Sequence, residues 1–195
     1  EYLCGESLYA RIERTGSLQT GELIRLGIEL CRIMNYLHSF KPNPILYLDL
    51  HPGNLLICRE QLKLIDFDQA ALASLSQERS VCYGTKGFAA PEQYEGGTLD
   101  ERTDIYAIGA LLYYMGTGHA PEGEIKAGQG SCRGDLYILM GRCLRIEKKE
   151  RCQSVREVLE ALEKLEARIF AERHIPLLRI AAAGSRSGIG VTHTA

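Results

Sequence analysis

Tyr47-Leu48-Asp49-Leu50-His51-Pro52-Gly53-Asn54, followed twelve residues after Asn54 by Asp66-Phe67-Asp68, is the stretch on which the reading of this 195-residue chain turns. Between the two polar runs stand Leu55-Leu56-Ile57-Cys58 and Leu62-Lys63-Leu64-Ile65, around Arg59-Glu60-Gln61. Short apolar runs on either side of a polar turn read as the two strands of a hairpin. The loops at the open end of a hairpin lie side by side, so the spacing predicts that Asp49, Asn54 and Asp66 converge. A carboxylate at Asp49 can accept a proton from an alcohol. Asn54 and Asp66 offer hard oxygens of the kind Mg²⁺ takes alongside phosphate oxygens.

In order and spacing the two runs resemble the catalytic loop (H-R-D-L-x-x-x-N) and the magnesium loop (D-F-G) of protein kinases. Further on, Gly84-Thr85-Lys86-Gly87-Phe88-Ala89-Ala90-Pro91-Glu92-Gln93 resembles the end of a kinase activation segment, with Ala90-Pro91-Glu92 as A-P-E. Asp104-Ile105-Tyr106-Ala107-Ile108-Gly109 resembles the start of the buried helix that anchors the catalytic loop, its aspartate accepting backbone N–H groups. Arg151 stands where the family places the arginine that pairs with the A-P-E glutamate, here Glu92. Glu1-Tyr2-Leu3 with Gly5-Glu6-Ser7-Leu8 resembles the hinge between the two lobes.

The resemblance implies a mainly α fold: a kinase C-terminal lobe with a small β-hairpin over residues 1–174, from a parent that is α+β. The N-terminal lobe, with its glycine-rich loop and strand lysine, is expected to be absent from the chain, so that the fragment alone is inactive. The implied activity is ATP-dependent phosphorylation of Ser or Thr in a protein, with Mg²⁺. Asp49 is then the base, and Asn54 and Asp66 hold the metal. Thr85 bonds the catalytic aspartate, and His51 takes the place of a lysine that contacts the transferred phosphate. On the nucleotide side, backbone groups of Glu1 and Leu3 face adenine, Glu6 or Ser7 lies near the ribose, and Leu56 forms the apolar floor.

Three positions depart from the family pattern. Leu48 replaces the arginine before the catalytic aspartate, which implies that no activation-segment phosphate is read by that arginine. His51 is mostly neutral at pH 7 unless a neighbour keeps it protonated. Asp68 replaces the glycine of D-F-G, adding a carboxylate and removing glycine's backbone freedom. The string D-L-H-P-G-N is also similar to the loop of aminoglycoside and choline phosphotransferases. Those enzymes lack G-T-x-G-F-x-A-P-E, so the activation segment favours a protein substrate. A pseudokinase or scaffold module is the third alternative.

Bulk composition fits one domain plus an extension: 45% of residues are hydrophobic and the net charge is −2. That charge argues against nucleic acid or an anionic membrane as partner through bulk electrostatics. The seven cysteines form no C-x-x-C pair, which points to reduced thiols and a cytoplasmic setting. Cys4 and Cys82 are the two expected to be reactive. No apolar run approaches the roughly 18 residues needed to span a bilayer. Helices are predicted at Leu8–Arg14, about 21–38, from Asp100 to an end at Gly116 and Gly118, at about 135–144, and from Ser154 to about Glu172. Pro42 and Pro44 force an extended approach to the catalytic loop. Leu177–Ala183 is expected to be a strand leading into Gly184-Ser185-Arg186-Ser187-Gly188-Ile189-Gly190-Val191-Thr192. That stretch resembles the phosphate loop of ParA/MinD-like ATPases, or is a flexible tail. In it Val191 replaces the signature lysine and Ser185 the first glycine.

Overall fold

Apolar residues recur at three-to-four spacing through Leu23, Leu26, Leu30, Met34 and Leu37, and this stripe builds the longest fully described helix into the core. The computed structural model describes residues 4–75, 84–122 and 134–184, with 172–184 described by backbone alone. In chain order the elements are β1 (Glu6–Ser7), α1 (Leu8–Thr15), α2 (Thr20–His38) and β2 (Ile45–Leu46). Next come β3 (Leu55–Cys58), β4 (Gln61–Leu64), β5 (Ala71–Leu72), α3 (Pro91–Glu95) and α4 (Glu101–Thr117). The chain continues with α5 (Gly134–Cys143) and α6 (Val155–Gly184). The mainly α fold with a small hairpin is as expected.

α4 is apolar nearly all round and sits at the centre, with Ile105, Ile108, Leu111 and Leu112 fully buried. Burying each such side chain contributes about 1.5–3 kcal/mol. Gly109 lets α5 come close, because a Cβ there would stand 2.5 Å from Cys143 Cβ. The helix passes through Gly116 and stops at Gly118, whose φ of 80° is left-handed and whose N–H donates to Tyr114 O. At its other end Asp100 is the cap and accepts from Arg102 N at 2.9 Å. α6 begins after Ser154, whose Oγ accepts from Glu157 N; Glu157 in turn accepts from Gln153 N at 2.8 Å.

The hairpin forms one residue earlier than the sequence pattern suggests. Cys58 pairs with Gln61, leaving Arg59 and Glu60 as a two-residue turn with both φ positive, at 48° and 67°. Such turns match the twist of the strands, and Arg25 anchors this one through Glu60 O at 2.6 Å. β1 adds to β3 as a third strand, and β2 pairs with β5. The expected strand at 177–183 is corrected: α6 runs unbroken through it to Gly184. Leu177, Leu178 and three consecutive alanines are among the best helix formers, and that preference outweighs the apolar run. Glu1, Leu3, Cys82 and the motif from Ser185 onward lie outside the described residues.

Arg151 ties the segment before α6 to α3. It is 1% exposed, and every guanidinium N–H finds an oxygen. Nη1 donates to Glu92 Oε1 (2.7 Å) and Arg102 O, Nη2 to Glu92 Oε2 (2.8 Å) and Ile146 O, and Nε to Arg145 O. Tyr106 lies under the guanidinium, 5.1 Å from its centre. Arg151→Ala strands the buried Glu92 charge and is expected to cost about 3–5 kcal/mol, read as a fall in the urea midpoint.

Asp100 gives a pH signature. Burial raises its pKa, but hydrogen bonds from Arg102 and Lys148 outweigh burial and hold it at about 2, below the usual 3.8. A lowered folded pKa stabilises above the unfolded value, and the stabilisation is lost as pH falls from about 3.8 towards 2. About 2 kcal/mol is expected to disappear across that window. Asp100→Ala should flatten this part of the stability–pH curve from acid denaturation.

Candidate active site

The site is built around a turn that the backbone alone disfavours. Leu48 has φ 68°, a left-handed conformation that costs an L-residue roughly 1–2 kcal/mol. Asp104, in the first turn of α4 and 1% exposed, holds it there. Its Oδ2 accepts from Tyr47 N at 2.9 Å and its Oδ1 from Leu48 N at 2.8 Å. His38, the last residue of α2, adds Nε2 at 2.8 Å from Oδ2. On the other side of the turn, buried Gln93 donates to Leu48 O at 2.8 Å and accepts from Ala90 N at 3.0 Å. The Leu48 side chain packs with Leu46 and Leu99.

Asp49 follows this clamped turn, half-buried. Its Oδ1 accepts from Thr85 Oγ1 at 2.9 Å. His51 Nε2 lies 3.8 Å from Oδ2. His51 Nδ1 accepts from Gly53 N at 3.1 Å, which leaves Nε2 as the ring nitrogen facing Asp49. Asn54 Nδ2 donates to Asp49 O at 3.1 Å, which leaves its Oδ1 as the oxygen for a ligand.

The hairpin brings the second loop alongside. Ile65 N donates to Asn54 O at 3.0 Å, closing the mouth of the hairpin, and Asp66 is the next residue. Asp66 is left-handed, φ 61°, and its Oδ1 accepts from Asp68 N at 3.2 Å. Positive φ falls on Asp66, not Asp68, so the aspartate at the third position meets no glycine-only demand. Tyr47 joins both loops. Its hydroxyl donates to Ile65 O, and its ring meets Phe67 edge-on at 5.2 Å. Burial first, and then the charges of Asp49 and Asp66, push the Tyr47 hydroxyl pKa up.

Asp49, His51, Asn54, Thr85 and Asp66 are thus brought together. Leu56 is half-buried on β3, in register with Ser7 on one side and Lys63 on the other. The Glu6 carboxylate is taken up by Arg14 (3.0 Å) and Arg11 (2.7 Å). Arg14's hydrogen bond, with Arg11's, holds its pKa below the usual range. Ser7 Oγ accepts from Ala10 N and caps α1. Sequence reasoning missed Gln93, His38 and Tyr47. The position of Gln93 directly after Ala90-Pro91-Glu92 was the available signal for the first, and nothing local marks the other two.

The donor set suits magnesium. Among the described residues no cluster of three or more His, Cys, Asp or Glu could hold a metal alone. Mg²⁺ asks for less, since it takes one or two carboxylates, keeps waters and shares phosphate oxygens. Asp66, exposed, and the remaining Asn54 oxygen meet that requirement.

A helical fold in which a buried carboxylate pins a loop bearing aspartate and asparagine, beside a second aspartate, is an arrangement suited to phosphoryl transfer. The protein kinase domain family matches residues 1–174. The chain is 30% identical to integrin-linked protein kinase 1 of Arabidopsis thaliana over 96% of its own length and 41% of that relative. It is 29% identical to serine/threonine-protein kinase A of Synechocystis sp. over 88% of this chain and 38% of the relative. Against serine/threonine-protein kinase VIK of Arabidopsis thaliana it is 26% identical, over 89% and 44%. The chain therefore belongs to the protein kinase family, and it spans less than half the length of these relatives. No helix among the described residues is long and apolar enough to cross a membrane.

Replacing Asp104 by Asn sets an NH₂ against one of the N–H groups it now receives. Leaving that buried donor unpaired is expected to cost about 1–3 kcal/mol, measured by equilibrium unfolding.

Proposed function

We propose that the parent protein transfers the γ-phosphoryl group of ATP to a Ser or Thr hydroxyl of a protein, with this chain supplying the catalytic and metal-holding loops. The observation that carries the proposal is Thr85 bonded to Asp49 across from the Asn54–Asp66 hairpin mouth. Thr85 belongs to the activation segment, so one hydrogen bond joins the segment that presents a protein substrate to the carboxylate that meets its hydroxyl. The curated relatives named as serine/threonine-protein kinases support the same substrate class.

Asp49 carries the proton step. Thr85 bonds Oδ1 at 2.9 Å, whereas Oδ2 has only the longer contacts to Asn54 Nδ2 (3.5 Å) and His51 Nε2 (3.8 Å), so Oδ2 is the oxygen assigned to the incoming hydroxyl. As that hydroxyl oxygen bonds to the γ-phosphorus, the bond from phosphorus to the β,γ-bridging oxygen breaks, ADP departs and the proton passes to Asp49. Asn54 and Asp66 would hold Mg²⁺ together with the phosphates of ATP, and the ion would supply the charge neutralisation this reaction needs. The remaining catalysis is positioning. The loop and lysine that cover the phosphates belong to the lobe that precedes the hinge in this family, so activity is proposed for the whole protein. Backbone groups of Glu1 and Leu3 are assigned to adenine, Leu56 to its floor and Glu6 to the ribose side.

His51 is the chain's own modification of the mechanism. Tied to Gly53 through Nδ1, it has one ring nitrogen left to face the site in place of a lysine's three donors, and so supports less stabilisation of transferred phosphate than a lysine. Buried Leu48 leaves no cation before Asp49 to receive an activation-segment phosphate, which supports an active state independent of that pairing.

The test is Asp49→Asn in the intact protein, assayed with radiolabelled ATP. We expect kcat to fall about 10²–10⁴-fold with Mg–ATP affinity kept. An unchanged rate removes Asp49 as base. Absence of both nucleotide binding and phosphorylation in the wild type selects a scaffold, and label on an aminoglycoside or choline instead of protein Ser/Thr selects a small-molecule phosphotransferase.

A further inference from the structure

Two thiols that no step of phosphoryl transfer uses stand together between the end of α5 and the start of α6. Cys143 closes α5 and Cys152 follows Arg151 directly; both are fully buried. Their sulfurs are 3.9 Å apart, with the Cys143 S–H donating to Cys152. The pair joins two elements, since Cys143 ends a helix and Cys152 belongs to the segment that enters the next one. Neither was a sequence candidate for reactivity.

We infer that Cys143 and Cys152 form a redox-active dithiol that a peroxide closes to a disulfide, and that closure is felt at the Arg151–Glu92 clamp. A disulfide needs the sulfurs at about 2.05 Å, so they must approach by roughly 2 Å. Cys143 is braced, because α5 lies so close to Gly109 of α4 that a single added carbon would meet it. The approach therefore falls on the Cys152 side. The same short segment supplies Arg145 O and Ile146 O to the guanidinium of Arg151, and Arg151 itself to Glu92 of α3. Movement of Cys152 is movement of the residue next to the clamp.

The two sulfurs have distinct roles. The hydrogen bond from Cys143, with help from the Arg142 charge, lowers the Cys152 thiol pKa. That makes Cys152 the better nucleophile. Its thiolate attacks one oxygen of hydrogen peroxide, the S–O bond forms as the O–O bond breaks, and hydroxide leaves to be protonated. The Cys143 sulfur then attacks the sulfenic sulfur, the S–S bond forms, the S–O bond breaks and a second water departs. Two thiols and one peroxide give one disulfide and two waters, the two electrons coming from sulfur. Cys31 is also buried and in electrostatic reach, but burial pushes its pKa up and it stays protonated. Peroxide reaches the pair when the intervening segment opens, and the exposed Ile146 and Glu150 place that segment at the surface.

The chemistry stands apart from the kinase reading, while its effect on activity rests on it. The experiment treats the intact protein with graded hydrogen peroxide, blocks remaining thiols during unfolding, and digests with trypsin without reductant. Arg145, Lys148, Lys149 and Arg151 lie between the two cysteines, so digestion separates them unless they are linked. Cys143-Leu144-Arg145 joined to Cys152-Gln153-Ser154-Val155-Arg156 is the expected product, reversed by dithiothreitol. Faster amide exchange in α3 after oxidation is expected with it. Exposed Cys4 reports that oxidant was delivered. Both cysteines recovered blocked at a dose that oxidises Cys4 overturns the inference. A linked peptide with α3 exchange unchanged overturns the coupling to the clamp. In Cys152→Ala, Cys143 should remain blockable at the same dose; its loss there would overturn the assignment of Cys152 as attacking thiol. Because the peptide map is made on the wild type, it holds whatever the variant's stability, and it does not depend on any phosphorylation assay.

Discussion

A carboxylate without solvent, Asp104, is the constraint on which this lobe depends. An ionised group at that depth is tolerable only when its oxygens are occupied by donors. Tyr47 N, Leu48 N and His38 Nε2 are those donors. The requirement runs both ways. The charge needs the turn, and the turn, with Leu48 in a left-handed conformation, needs the charge. Because Asp104 sits on the central helix α4 and His38 on α2, Asp49 inherits its position from the core.

A second buried charge works to a different end. Arg151 pairs with Glu92 through two parallel hydrogen bonds, and backbone carbonyls satisfy the rest of the guanidinium. Such a pair is weak evidence for stability when compared with an apolar replacement, and strong evidence for geometry, since removing one partner strands the other. Here it fixes α3 against the segment before α6. Gln93, the residue after Glu92, reaches back to Leu48 O. The two buried charges are therefore linked through two adjacent side chains, and the activation segment is held to the catalytic loop from below.

The sequence showed the helices well because their apolar spacing is long and regular, as in α2 and α4. It showed the core of the site because Asp49, Asn54 and Asp66 are held at their spacing by a hairpin whose strands are themselves legible. It failed where pairing is too short to leave a pattern. Two-residue strands such as β1, β2 and β5 are set by tertiary neighbours, not by alternation. Leu177–Ala183 shows the opposite failure, an apolar run whose period cannot separate strand from helix and whose alanines decide for helix. Gln93 and His38 were missed because each bonds a partner distant in sequence, the Leu48 carbonyl and the Asp104 carboxylate. The paired thiols were missed because no C-x-x-C spacing marks two sulfurs that meet where the segment after α5 folds back on its last residue.

The three departures from the family pattern now have different physical meanings. At Leu48 the backbone carries the structural role, through its N–H and its carbonyl, so the side chain is free to become core. A cation there is not needed for the loop's shape. At Asp68 the backbone angle makes no demand for glycine; the left-handed strain sits two residues earlier, on Asp66. His51 differs from both, since its ring nitrogen accepts the Gly53 N–H and shapes the turn that delivers Asn54. A lysine offers no acceptor and could not make that bond. The histidine therefore contributes a local hydrogen bond where the family pattern has a cation, and of the three departures it is the one whose side chain shapes the loop between Asp49 and Asn54.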